Sequence, residues 1–168
     1  MQVILLRHGI AVDPGDWKGH DGDRPLSEEG TERTQQVVQG LKRLKLAPEH
    51  VYSSPLVRAR QTAELVKAEL SLKTKIEVVE ELLPDAPPEA LLARLAHLPA
   101  QAVVLCAGHE PHLSTTIGVM ISGRTAARVE MKKASACCVE FVGAPKTGAG
   151  MLQWLLTPKI LRALGRSS

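Results

Sequence analysis

Aromatic residues are nearly missing from this chain, at 2% of its 168 positions. A core made without them must come from Leu, Val, Ile and Ala. The scarcity also argues against single-stranded nucleic acid, whose bases need stacking platforms along a basic groove. No stretch joins a basic run to aromatics, and a net charge of +3 gives only a mild bias toward anionic ligands. No apolar run approaches the roughly 18 residues of a membrane-spanning helix. The basic-then-apolar pattern of a secretory signal is also lacking, since Met1-Gln2 leads straight into an apolar run, and a cytoplasmic address is expected. Cysteine is sparse and odd in number: Cys106, Cys137 and Cys138 lie in apolar, strand-like runs. They read as reduced structural thiols, with Cys137 and Cys138 on opposite faces of one strand, rather than as a disulfide or a metal site.

No internal repeat, low-complexity tract or long linker divides the sequence. Residues 1–168 are therefore expected to form one domain, long enough to bury a real core. Strand-like runs fall near residues 2–6, 49–53, 75–79, 102–107, 135–142 and 151–156. Helices fit between them. Ser27 is the expected N-cap of a helix reaching about Leu44, with Glu28 and Glu29 in its first turn and Val37, Leu41 and Leu44 on its buried face. Ser54-Pro55 reads as a second helix start, a capping hydroxyl followed by Pro at the first helical position. A third helix is expected over 88–97, and a fourth starts at Pro111. This alternation predicts a three-layer α/β/α fold on a six-stranded, mostly parallel sheet. The last two strands, joined through a Gly/Pro-containing stretch, look like a hairpin and make the sheet mixed.

Three segments carry the chemistry. The run Val3-Ile4-Leu5-Leu6 ends in Arg7-His8-Gly9, which places a histidine and a planar cation at the carboxyl end of a strand, where open α/β sheets bind ligands. The segment Ser53 to Thr62 leaves a strand and turns into a helix, so Arg58 joins the anion-favouring N-terminal end. Arg60, two residues on, projects elsewhere as a solvated charge. The third segment, Val103 to Pro111, ends a buried strand at Gly108-His109-Glu110. Two histidines and two arginines at one sheet edge suit phosphoryl transfer: guanidinium groups neutralise phosphoryl oxygens, one imidazole attacks, and the other donates.

Arg7-His8-Gly9, the Ser-Pro-x-x-Arg-Ala-x-Gln-Thr pattern over 54–62 and Gly108-His109 resemble the histidine phosphatase (phosphoglycerate mutase-like) superfamily. Arg24-Pro25-Leu26-Ser27 with Gly30, Gly108 to Pro111, the closing Trp154 with Thr157-Pro158, and the short length resemble its small SixA-type phosphohistidine phosphatases. The resemblance implies a phosphoglycerate mutase-like fold and a covalent phosphohistidine intermediate, with no metal and no other cofactor. It makes His8 the nucleophile, Arg7 and Arg58 phosphate clamps, and His109 a neighbour that stabilises the transferring group. Arg24 would add a phosphate contact from the loop over residues 13–24. For attack His8 must be neutral with one ring nitrogen held, and the Gly9 carbonyl is the expected holder.

Glu110 has two readings, a proton donor to the leaving group or a first-turn carboxylate that complements the helix dipole. Asp13, Asp16, Asp21 and Asp23 are weaker acid candidates in a loop where they favour turns and solvent. His20, His50 and His97 read as surface or connecting residues. His112 stands where the resemblance leads one to expect an acid. The expected substrate is phosphohistidine on a signalling or phosphotransfer protein, admitted by an open site. A small-molecule phosphomonoesterase, acting on a sugar phosphate or phosphoglycerate, is the alternative enzyme. A phosphate-binding module without catalysis is disfavoured by the presence of His8.

Overall fold

The computed structural model describes residues 1–126 and 128–166. Six strands form one sheet in the order β3-β2-β4-β1-β5-β6. They are β1 (Gln2–Arg7), β2 (His50–Ser53), β3 (Ile76–Val78), β4 (Val103–Gly108), β5 (Ala136–Glu140) and β6 (Met151–Leu156). Strands β1 to β4 pair in parallel, while β5 runs antiparallel to both β1 and β6. The sheet is therefore mixed, with the hairpin at its end, as the sequence pattern predicts.

Burial on both faces explains the unbroken apolar runs of β1 and β4. In β1, Ile4 and Leu6 face α1 (Glu28–Arg43), α2 (Val57–Glu69) and α5 (Pro158–Arg166), meeting Val37, Leu41, Val66 and Leu161. Val3 and Leu5 face α3 (Pro88–Leu95) and α4 (His112–Ser122), among Leu91, Leu95, Leu113 and Ile117. Cys137 and Cys138 divide between the two faces in the same way. Burial raises the thiol of Cys106 to about 12, so it stays protonated inside the sheet.

The α1 start is as expected: Ser27 Oγ accepts the Gly30 N–H at 3.0 Å. One helix expectation needs correction, and one helix was not expected. Helix α2 begins at Val57 without a side-chain cap, two residues after Pro55, the expected first helical position. Ser54 is held on the sheet instead, its N–H donating to Ala107 and its hydroxyl lying 2.8 Å from His109 Nε2. Helix α5, opened by Pro158, lies beyond the predicted helices and packs along α1. That packing depends on Gly40, where a Cβ would come within 2.0 Å of the Leu161 carbonyl oxygen.

Candidate active site

The carboxyl ends of β1, β2 and β4 deliver the chemistry-bearing residues to one edge. Past the strand ends the backbone remains tied: His8 N–H donates to Gly108, and Ser54 N–H to Ala107. The His8 and His109 rings, one after β1 and one after β4, lie with centroids 4.9 Å apart. His8 is 7% exposed and His109 2% exposed, so both imidazoles stand largely out of water.

Ring geometry fixes the tautomer of His8. Its Nδ1 lies 2.7 Å from the Gly9 carbonyl oxygen, which can only accept, so in the neutral ring Nδ1 carries the hydrogen. Nε2 is left with its lone pair. The position of Gly9 is itself secured, because its N–H donates to Thr62 Oγ1 at 3.2 Å and that hydroxyl donates to the Arg58 carbonyl. Space is tight here: a Cβ on Gly9 would meet Thr34 Oγ1 at 2.1 Å. Gln61 Oε1 accepts the Leu26 N–H, tying the segment before α1 to α2. The Gln-Thr pair of the sequence pattern therefore positions backbone on either side of the site.

Burial first, and neighbouring positive charge after it, keep both rings neutral. Burial, then Arg58, Arg7 and Lys133, push His8 down to about 4, against the opposing effect of its bond to Gly9. Burial, His8, Arg58, His112 and Arg7 take His109 down to about 3. His112, buried behind it in α4, is lowered to about 4 by burial. A histidine lowered in the folded state excludes protons that the unfolded chain accepts near pH 6.5. Stability is therefore expected to fall as pH drops from about 6.5 toward 4, and these groups add no slope above that window. Nitrogen-15 imidazole spectra near pH 6 should find His8, His109 and His112 uncharged. An imidazolium signature at His8 under those conditions would contradict the geometry.

The arginines are placed with donors to spare. Arg7 Nη1 donates to the Met131 carbonyl at 2.7 Å, and Arg58 Nη1 donates to the Asp21 carbonyl at 2.8 Å. Among the described residues, Arg7 Nε and Arg58 Nε are buried with no hydrogen-bond partner. Buried donors of this kind are costly unless a ligand satisfies them. Arg24 joins the cluster indirectly: its Nε donates to Asp21 Oδ1 and its Nη1 to the Val12 carbonyl. Asp21 Oδ2 meanwhile accepts from Arg58 Nη2 at 3.1 Å. One carboxylate thus bridges Arg24 and Arg58 and latches the short helical turn Asp21–Asp23 over the site. The Arg24 hydrogen bond leads in lowering the Asp21 carboxyl below its ordinary range, so this residue is held ionised and is a poor proton donor.

Glu110 is half-buried and feels Arg7 across the edge. Its Oε1 accepts the Ser114 N–H and its Oε2 accepts the Ser114 hydroxyl at 2.6 Å, in the first turn of α4. His20 Nδ1 accepts the Gly22 N–H and so caps the short turn. Sequence reasoning missed Asp21 as a bridge and Ser54 as the partner of His109. Both contacts join segments distant in sequence, and only the Ser-Pro pattern marked one of them.

The family model of the histidine phosphatase superfamily (branch 1) matches residues 3–83. Phosphohistidine phosphatase SixA of Escherichia coli is 32% identical over 161 residues, which span 94% of each chain. The chain belongs to the histidine phosphatase superfamily. Within that superfamily it is of the SixA type, and it is a phosphatase. A solved SixA structure in complex with tungstate superposes with a TM-score of 0.84 and 29% identity, covering 96% of this chain and 99% of that one. A phosphoserine phosphatase of Entamoeba histolytica bound to phosphoserine shares the fold, with a TM-score of 0.71 and 16% identity over 95% of this chain and 98% of its own. No helix among the described residues of this phosphatase is long and apolar enough to cross a membrane.

Proposed function

We propose that this SixA-type phosphatase, acting as one catalytic domain over residues 1–168, hydrolyses phosphohistidine on a cytoplasmic signalling or phosphotransfer protein. His8 Nε2 attacks phosphorus as the substrate's P–N bond breaks and its electron pair passes to the substrate imidazole, which is protonated at its other ring nitrogen and so leaves as neutral histidine, giving phosphorylated His8. Water then attacks the same phosphorus, the bond to His8 breaks, and orthophosphate leaves. Arg7 and Arg58 neutralise the phosphoryl oxygens, Arg24 supports Arg58 through Asp21, and His109 donates to the oxygen that gains charge. The observation that carries this reading is geometric: the buried His8 ring is held at Nδ1 by the Gly9 carbonyl, which leaves Nε2 to attack, and Arg7 and Arg58 each keep a buried guanidinium Nε without a partner among the described residues. The match to a phosphohistidine phosphatase over 94% of both chains supports the substrate class.

Glu110 enters the reading through the leaving group. An imidazole departs without the full protonation that an alkoxide requires, so phosphohistidine makes the lesser demand on an acid. Glu110→Gln is expected to lower turnover of a phosphohistidine protein by less than about fivefold, whereas loss of a general acid costs ~10²-fold or more on an alkyl phosphate. The test compares kcat/KM of both proteins on a phosphohistidine protein, a sugar phosphate and an aryl phosphate. Wild-type preference for the sugar phosphate, lost in Glu110→Gln, would favour the small-molecule phosphomonoesterase instead.

A further inference from the structure

Beside the catalytic edge, on the face covered by α1 and α5, lies a cleft of about 330 Å³. Its cations come from three parts of the chain: Arg33 on α1, Lys132 and Lys133 on the segment before β5, and Arg162 on α5, with Arg7 on the wall shared with the site. Glu130 is the acidic lining residue, and Arg33 is engaged by Glu29 at 2.6 Å. Among the described residues, Lys132, Lys133 and Arg162 have no carboxylate within ion-pair distance. Between these charges the lining is apolar, built from Ile10, Val37, Ala134 and Pro158. Thr34, also in the lining, is fully buried and its hydroxyl has no hydrogen-bond partner among the described residues.

The cleft is tied to the reacting residues by backbone. Ala134 N–H donates to the carbonyls of both Arg7 and His8, and Met131 O holds the Arg7 guanidinium. Ala134 sits at φ 61°, a left-handed conformation that a residue with a Cβ adopts at a cost. The lysine-bearing wall is therefore fixed to the end of β1. A group seated there would lie next to a phosphoryl group held by Arg7.

We propose that this cleft is a docking subsite for an acidic segment of the phosphorylated protein, an apolar side chain flanked by carboxylates. The inference rests on the phosphohistidine-protein reading above. Charge complementarity selects the carboxylates, and steers encounter as well as binding. The apolar floor selects a peptide over a second phosphate or a hydroxylated sugar, neither of which gains from contact with the partly exposed Ile10 and Pro158.

Two synthetic phosphohistidine peptides test it, alike except that one carries glutamates around a leucine beside the phosphohistidine and the other carries glutamines. The wild-type enzyme is expected to favour the acidic peptide by about tenfold in kcat/KM, through KM, at low salt. Lys132→Glu/Arg162→Glu should erase that preference while aryl phosphate turnover stays within about twofold, which also reports a folded enzyme. Equal use of the two peptides by the wild type, or a preference that survives charge reversal, overturns the docking subsite.

If neither peptide is turned over while the aryl phosphate is, the phosphohistidine reading fails, and the cleft is decided by binding alone. The fluorescein-labelled, unphosphorylated acidic peptide should then bind wild-type protein in anisotropy titrations and lose about tenfold in affinity to the double variant. Equal binding to both proteins, or none to either, overturns the cleft.

Discussion

His8→Ala is expected to lower phosphatase turnover by on the order of 10⁴-fold or more, as when the nucleophile of a covalent mechanism is removed. Binding should survive, because the guanidinium donors of Arg7 and Arg58 are held by Met131 and Asp21 rather than by the histidine. Tungstate or phosphate should therefore bind the variant with an affinity within a few-fold of wild type. The variant also removes a ring packed 4.9 Å from His109, so its thermal unfolding should be compared with wild type as a check on folding. Turnover within about tenfold of wild type would remove His8 from the chemistry.

Arg58→Lys is expected to cost about 10²–10³ in kcat, the loss seen when one preorganised donor to a developing charge is removed. The substitution keeps a cation and loses the planar fork. In the structure that fork spans two tasks: Nη1 and Nη2 bind Asp21, while Nε is buried and unpartnered. A lysine ammonium presents its three donors from one centre and lacks the reach by which the guanidinium spans Asp21 and a phosphoryl group. The same change removes the two-point contact of Nη1 and Nη2 with Asp21, which then depends more on Arg24. Full activity in Arg58→Lys, measured as kcat on an aryl phosphate, would mean that charge alone suffices at this position.

The sequence was most legible where burial is complete. The run Val3 to Leu6 is apolar because both its faces are covered, and a strand of that kind has few alternatives. Its end at Arg7-His8 then points to the reacting edge. The hairpin β5–β6 was legible from the Gly/Pro-containing stretch between its strands, and Ser27 from its place before the helix it caps. Helix α5 was not, since its packing depends on the close approach at Gly40, far off in the chain.

The site divides in the same way. Arg7 closes β1, His8 and His109 follow β1 and β4, and Arg58 opens the helix after β2, so topology brings them to one edge. Asp21 carried no local signal, because an aspartate in a glycine-containing loop looks like any turn former. Its function as a bridge appears only once Arg24 and Arg58 are folded together. Ser54 reads as a helix cap because Ser-Pro is a common start signal, yet its hydroxyl meets His109, 55 residues away, and locally accepts the N–H of Leu56, ahead of the helix. Glu110 has two readings, proton donor and first-turn carboxylate, because its place beside His109 is also the start of α4, where its oxygens accept from the Ser114 N–H and hydroxyl.

Transfer of phosphorus to a single ring nitrogen is the central claim, and trapping that adduct tests it most directly. Enzyme mixed with a phosphohistidine protein, quenched at alkaline pH during turnover and digested, should yield the peptide bearing His8 with one added phosphoryl group. Localisation of that group to any other residue, or a peptide unmodified throughout turnover, would contradict the account.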